Sequence, residues 1–376
     1  MRRIASHYAL VNGVLERGIV VEVDDTGTIT TISQPDNMDS VAGVEFYPGI
    51  LIPGMVNAHC HLELSYLRGA IAEATGFAGF AREIGRVRGN YTNDERIHAA
   101  SVADSAMWHE GIEVVVDIAN DALVMPIKER SKITYYTLFE AFGLMTQSSH
   151  TQEALAATHK NSGVTPHSTY SLQEGIFCHI ANNGTPPLSI HFLESEAEAA
   201  LYNKEGSLWE WYSRMGWECD FLHHKHPTKR ITECVPADRA TLLVHGCMAT
   251  PNDVELINQH FCTPATWVMC PESNRYISGI TPPYAMLQEM GAQIAIGTDS
   301  LASAHHLSMV ENMLLLEGTP LTEILTYATL NGAKALGIDN KKGSIAIGKQ
   351  PGLVVIAGVD LHEMRLTKES SSQRII

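Results

Sequence analysis

Apolar positions fall into two rhythms along this chain. From residue 1 to 48 they sit in short β-branched stretches cut by turn signals at Asn12-Gly13, Asp24-Asp25-Thr26-Gly27 and Pro35-Asp36-Asn37. That pattern predicts three or four short antiparallel strands. From residue 49 onward, short apolar runs suited to strands buried on both faces alternate with stretches of helical period. Runs near 50–58, 112–118, 132–139, 163–166, 188–193, 241–246, 266–270 and 293–298 predict strands. Glu95–His109, Gln152–Lys160, Asp253–Gln259, Leu307–Leu316 and Leu321–Leu336 predict helices. Strands and helices in this alternation predict an α/β fold, a parallel (β/α)8 TIM barrel over residues 49–339. Gly343–Ile356 then reads as strand, turn, strand. Both chain ends are therefore β-rich, and residues 1–48 and 340–376 are expected to pair into one small β-sandwich domain.

Charge narrows the partners. Acidic residues outnumber basic ones, 42 to 26, for a formal charge of −16. So few spare cations cannot build a broad basic face, which argues against nucleic acid and against anionic membranes. No stretch approaches the ~20 apolar residues of a membrane span, and Asn12, Gly13, Glu16 and Arg17 interrupt any leader-like apolar region after Arg2-Arg3. The seven cysteines are scattered without a C-x-x-C pair, so they read as reduced thiols rather than a disulfide frame. A cytoplasmic protein acting on a small molecule is expected, and a homodimer is compatible with this composition. The cluster His223-His224-Lys225-His226 lies in a polar stretch and reads as a solvated loop.

Chemistry enters at the strand ends, where barrels keep their reactive groups. The first predicted strand ends in His59-Cys60-His61, and alternation along a strand turns both imidazoles to one face. Later strands end in Pro166-His167-Ser168, His191-Phe192-Leu193-Glu194, Val244-His245-Gly246, Cys270-Pro271-Glu272-Ser273-Asn274 and Gly297-Thr298-Asp299-Ser300. Histidines and an aspartate aimed into one mouth predict a site for one divalent metal. His59, His61, His191 and Asp299 are the expected ligands. Imidazoles plus a carboxylate suit zinc, with ferrous iron the alternative, better than calcium or magnesium. Such an ion lowers the pKa of its water towards ~7. Asp299 can take that water's proton, His245 can orient the nucleophile, and Glu194 can protonate a ring nitrogen and then the leaving group.

P-G-x-x-N-x-H-x-H, T-P-H-S, H-x-x-E-S-x-x-E, V-H-G, C-P-x-S-N and G-T-D-S together resemble the amidohydrolase superfamily over nearly the whole chain. They look most like its mononuclear deaminase and chlorohydrolase branch. Pro166-His167 stands where binuclear relatives carry a carboxylated lysine, so the resemblance implies a single metal. His61-Leu62-Glu63-Leu64-Ser65, His191–Ser195 and Cys270–Arg275 are most similar to aminodeoxyfutalosine and S-adenosylhomocysteine deaminases. That likeness implies hydrolytic removal of an amino group from a purine nucleoside. It implies His167 against the nucleoside, Ser273 and Asn274 near the substrate, and Arg86 or Arg88 available for a carboxylate. The chain departs from these relatives at Gly89-Asn90, where they carry a glutamate for the ribose hydroxyls. A ring-halide or cyclic-amide hydrolase with the same site, and a non-catalytic binding relative, are the alternatives.

Overall fold

In a computed structural model, residues 1–36 and 42–376 are described; Asn37, from the turn expected at Pro35-Asp36-Asn37, lies outside them. Eight parallel strands carry the centre of the molecule. Strands β1 to β5 come first and belong to the terminal sheet: β1 (Arg2–Val11), β2 (Val14–Arg17), β3 (Val20–Val23), β4 (Ile29–Ser33) and β5 (Val44–Pro53). The barrel strands follow as β6 (Met55–Cys60), β7 (Ile112–Ala119), β8 (Thr134–Ala141), β9 (Ser162–Pro166), β10 (Leu188–Phe192), β11 (Thr241–His245), β12 (Thr266–Met269) and β13 (Gln293–Ile296).

Parallel ladders join β6 through β9 and, separately, β10 through β13. Two narrow seams close them into a ring. At one, His191 N donates to His167 O at 2.9 Å, beside a bridge between Ser168 and His191. At the other, Thr298 N and Asp299 N donate to His59 O at 3.0 and 3.1 Å, and Cys60 bridges Asp299. The expected eight-stranded barrel is therefore present, closed at these seams by isolated bridges and a few hydrogen bonds instead of full ladders.

The strand expected over 50–58 is two strands. Gly54 separates them, because a Cβ there would lie 2.6 Å from Pro351 O and 2.7 Å from Glu113 Cβ. β5 ends in the terminal sheet and β6 begins the barrel. The expected helix 321–336 is likewise two, Leu321–Tyr327 and Leu330–Ala335. The helix Asn93–Glu110 starts with a Thr92–Glu95 capping box, which satisfies two free backbone donors, and stops at left-handed Gly111.

The terminal sheet runs β15-β14-β5-β1-β3-β4, with β14 (Leu353–Ala357) and β15 (Ser371–Arg374) supplied by the far end of the chain. Its β1–β5 pair is parallel, unlike the antiparallel pairing expected. The first half of the expected 343–356 hairpin reduces to one bridge from Ile345 to Val11. Alternation sets the packing: Ile50, Ile52, Val354 and Ile356 join the barrel's core, while Leu51, Leu353 and Val355 pack under the terminal sheet with Ile4 and Val21. No helix among the described residues is long and apolar enough to cross a membrane.

Candidate metal and acid–base site

The strand ends converge as expected. His59 and His61 leave β6, His191 sits in β10, and one nitrogen from each of these three rings lies within 4.8 Å of the other two. Nε2 of His61 is 3.1 Å from Nε2 of His59, and Asp299 Oδ1 stands 3.6 Å from His61 Nε2 and 3.9 Å from His59 Nε2. Gly297 permits this approach. A Cβ on it would meet His59 Cβ and O at 2.9 Å. Asp299 and His245 both hold positive φ, 57° and 77°, which side-chain-bearing residues seldom adopt.

Protonation states follow from burial and hydrogen bonds. Burial, with the neighbouring rings, drives His59 well below its ordinary pKa of 6.5 and His61 down to about 4. His191 is also lowered by burial. Its Nδ1–H donates to the His167 carbonyl at 2.7 Å, so the lone pair is on Nε2, the nitrogen left for the site. His59 Nδ1 contacts Ser189 Oγ at 3.3 Å, while His61 Nδ1 is buried with no partner among the described residues. For Asp299 burial works against ionisation, but His61, His245 and the Ser273 hydroxyl outweigh it and bring the carboxyl below 3.8. Three neutral imidazoles facing one carboxylate form a donor set with the chemistry of a divalent-cation site.

A second pair sits beside it. Glu194 Oε2 is 3.3 Å from His245 Nε2, and the Tyr170 hydroxyl donates to Glu194 Oε1. Burial first, then the adjacent Glu198, raise Glu194 well above 4.5, while burial lowers His245 to about 3. A carboxyl pushed towards its protonated form therefore faces a neutral imidazole. Asn274 Nδ2 donates to His245 Nδ1 at 3.0 Å, which leaves the ring's own proton on Nε2. Glu198 accepts the Glu194 backbone N–H at 2.9 Å and fixes the turn that carries it.

Above this base opens a cavity of about 370 Å³, lined by His61, His167, His191, Glu194, His245 and Asp299 below and by Phe77, Phe80, Phe142, Leu144, Trp211 and Trp217 around the wall. Among the described residues, Arg88 is the one lining side chain with a permanent positive charge. Arg86 is not in the wall. It pairs with Glu83 at 2.8 Å on the exposed side of helix Phe77–Val87. Phe77, Phe80, Ala81, Ile84 and Arg88 share the cavity face, and Arg86 lies about 200° round the helix from Ile84. Ser273 and Asn274, expected to meet substrate, are committed elsewhere. Ser273 Oγ donates to Asp299 Oδ2 at 2.5 Å, and Asn274 holds His245. Tyr170, Ser189 and the tryptophan wall were not foreseen. Tyr170 follows the T-P-H-S stretch closely enough to have been suspected, and Trp209-Glu210-Trp211 sits on a strongly amphipathic helix, Gly206–Met215. The expected solvated loop at His223–His226 is half wrong: His224 is buried between Glu174 and Glu233.

A profile described as "Amidohydrolase family" matches residues 50–374. An adenosine deaminase of Helicobacter pylori is 27% identical over 82% of this chain and 79% of its own length. A 5-methylthioadenosine/S-adenosylhomocysteine deaminase of Haloarcula marismortui is 24% identical over 94% and 82%. Among solved structures, H. pylori aminofutalosine deaminase in complex with methylthio-coformycin superposes with a TM-score of 0.83 over the whole of both chains at 23% identity. An adenosine deaminase from Xanthomonas campestris with bound zinc gives 0.75 at 22% identity, over 96% of this chain and 85% of its own.

Proposed function

The chain belongs to the amidohydrolase family, and on that basis we propose that it is a metal-dependent hydrolytic deaminase acting on an adenine nucleoside of the aminofutalosine type. One observation carries the reading: the buried Glu194 carboxyl, its pKa raised by burial, stands 3.3 Å from His245 beside the convergent His59, His61, His191 and Asp299. Deamination of a purine ring needs a water made nucleophilic on one side and a proton delivered to the ring nitrogen on the other.

His59, His61, His191 and Asp299 would hold zinc, ferrous iron being the alternative, and a cation there supplies a water whose pKa lies near neutrality. Asp299 has Oδ2 occupied by the Ser273 and Ser303 hydroxyls at 2.5 and 3.1 Å, so Oδ1 is the oxygen left to take a proton. His245 presents Nε2–H towards Glu194 and steadies developing negative charge near the attacked carbon. Glu194 gives its proton to the ring nitrogen and then carries one to the departing amine. Tyr170 holds the other Glu194 oxygen, which fixes the carboxyl's orientation during both transfers. His167 lines the cavity and is placed to touch the nucleoside.

The wall supports the substrate class. Phe77, Phe142, Trp211 and Trp217 offer stacking surface for an aromatic extension of the nucleoside, and Arg88 offers a charge for a carboxylate on it. The Haloarcula relative's 5-methylthioadenosine and S-adenosylhomocysteine are the related substrates to set beside it. Ammonia release from a panel of adenine, adenosine, 5′-methylthioadenosine, S-adenosylhomocysteine and aminodeoxyfutalosine is the test. Highest kcat/KM is expected for the carboxylated aromatic nucleoside. Halide or carboxylic-acid release from ring halides or cyclic amides, with no ammonia from any purine, would refute the deaminase reading.

A further inference from the structure

Away from the barrel mouth, three side chains meet around one carboxylate oxygen of a fourth, the four coming from three segments. Glu174 and Cys178 lie one turn apart on helix Glu174–Asn183, His224 ends a short turn, and Cys234 ends helix Pro227–Cys234. Glu174 Oε1 is 2.7 Å from His224 Nε2, 3.1 Å from Cys234 Sγ and 3.6 Å from Cys178 Sγ. The two sulfurs are 2.6 Å apart, inside the contact distance of unbonded sulfur atoms, across 56 positions of sequence. Cys178 is partly exposed and Cys234 is buried.

We propose that Cys178 and Cys234 are a peroxide-responsive dithiol pair, closing to a disulfide that ties these two helices together. The division of labour follows from exposure and hydrogen bonding. Cys178 is the reachable sulfur, and its hydrogen-bonded contact with Cys234 holds it below the ordinary thiol pKa of 9.0 against its own burial. Thiolate character and access are what select a cysteine for oxidation. The Cys178 thiolate attacks one peroxide oxygen, the O–O bond breaks, and hydroxide leaves, giving a sulfenic acid. Cys234 sulfur then displaces that oxygen, forming the S–S bond and releasing water. Two thiols and one hydrogen peroxide become one disulfide and two waters. Glu174 is placed to accept the Cys234 proton as the second bond forms.

The link would enclose β10 and the helix Gly206–Met215, hence both His191 and Trp211. It would also anchor Arg230, whose guanidinium donates to the carbonyls of Thr169 and Leu172 on either side of Tyr170. Cross-linking so long a loop removes freedom chiefly from the unfolded chain, so the oxidised protein should melt several degrees higher.

The test is peroxide treatment of the folded, metal-replete full chain, followed by alkylation, digestion and mass mapping. The expected result is one Cys178–Cys234 peptide pair, loss of two titratable thiols of seven, and a melting midpoint raised by about 3–8 °C. Cys178→Ser should abolish the link and the rise. Cys234→Ser should leave a sulfenic acid at position 178 that a nucleophilic dione probe traps. Full alkylation of both thiols after peroxide, or pairing with other cysteines, would overturn the proposal. So would a zinc ion that persists in a His59→Ala/His61→Ala variant and is lost in Cys234→Ser, since Glu174, His224 and Cys234 would then be metal ligands.

Discussion

Glu194→Gln changes one transferable proton and almost no volume. In the wild type, burial and the neighbouring Glu198 raise this carboxyl well above 4.5, which favours its protonated form. Glutamine keeps an oxygen for the Tyr170 hydroxyl but has nothing to give a ring nitrogen. Positioned general acid–base catalysis contributes roughly 10²–10⁴ in rate, so kcat should fall by that factor, about 2.7–5.4 kcal/mol of transition-state stabilisation. Metal content should not change, because the nitrogen cluster of His59, His61 and His191 does not include this residue. Stability should move the other way. An acid whose folded pKa lies above its unfolded value binds its proton more tightly when folded. It supports folding at low pH, and that support is lost as pH rises above 4.5 towards the folded value. Glutamine suffers no such loss. The variant should therefore match wild type near pH 4 and melt higher at pH 8. Ammonia release, metal per chain and thermal midpoints at both pH values make the assay. Turnover within threefold of wild type, or equal melting at pH 8, would refute the assignment of a protonated Glu194 as the proton donor.

Gly297→Ala would put a methyl 2.9 Å from His59 Cβ and O; overpacking of this kind costs about 1–3 kcal/mol, and metal per chain should fall with stability. Unaltered metal content there would mean His59 is not a ligand. Arg88→Ala should raise KM for a carboxylated nucleoside by roughly 10- to 100-fold, the worth of a hydrogen bond to a charged group, while Arg86→Ala, on the exposed face, should leave KM unchanged; equal effects would remove Arg88 from the subsite. Glu110 is raised to about 7 by burial, despite hydrogen bonds from Ser308 and the Val310 backbone. Its contribution to stability is present below pH 4.5 and lost between 4.5 and 7, so Glu110→Gln should be more stable than wild type by about 3 kcal/mol at pH 8 in urea titrations. No difference between pH 4 and 8 would contradict that burial.

The strand-end histidines were legible because two regularities coincide: residues two apart on a strand share a face, and every parallel barrel strand ends at the same rim. Neither depends on long-range packing. The supporting residues lack such a rule. Tyr170 reaches Glu194 from a loop, and Ser189 meets His59 across 130 positions of sequence. Arg86 and Arg88 could not be separated before a helix was known there. Gly79 and Gly85 weaken the helical signal of Phe77–Val87, since glycine costs about 1 kcal/mol in a helix interior. His224 looked solvated because its immediate neighbours are polar, while Glu174, which buries it, is 50 positions away. The break at Gly54 is a matter of contact with Glu113 and Pro351, which local pattern does not encode.

The barrel's closure and its chemistry share residues. Six strand junctions are continuous ladders, but the other two rest on the backbones of His167, His191, His59, Cys60, Thr298 and Asp299. Two of the eight junctions are thus held by the proposed ligands and their neighbours. A cation gripping His59, His61, His191 and Asp299 would draw β6 to β10 and β13 at once, and a ligand that binds only the folded state stabilises by RT ln(1 + [L]/Kd), about 4 kcal/mol at a thousandfold excess over Kd. That energy enters at the two weak seams first. Chelation should therefore raise amide exchange in peptides covering 188–192 and 296–300 before it affects β14, whose antiparallel pairing with β5 and β15 lies in the terminal sheet. Exchange mass spectrometry with and without metal reads this directly. A uniform loss of protection, or a loss that begins in β14, would mean that the seams are not where the cation acts.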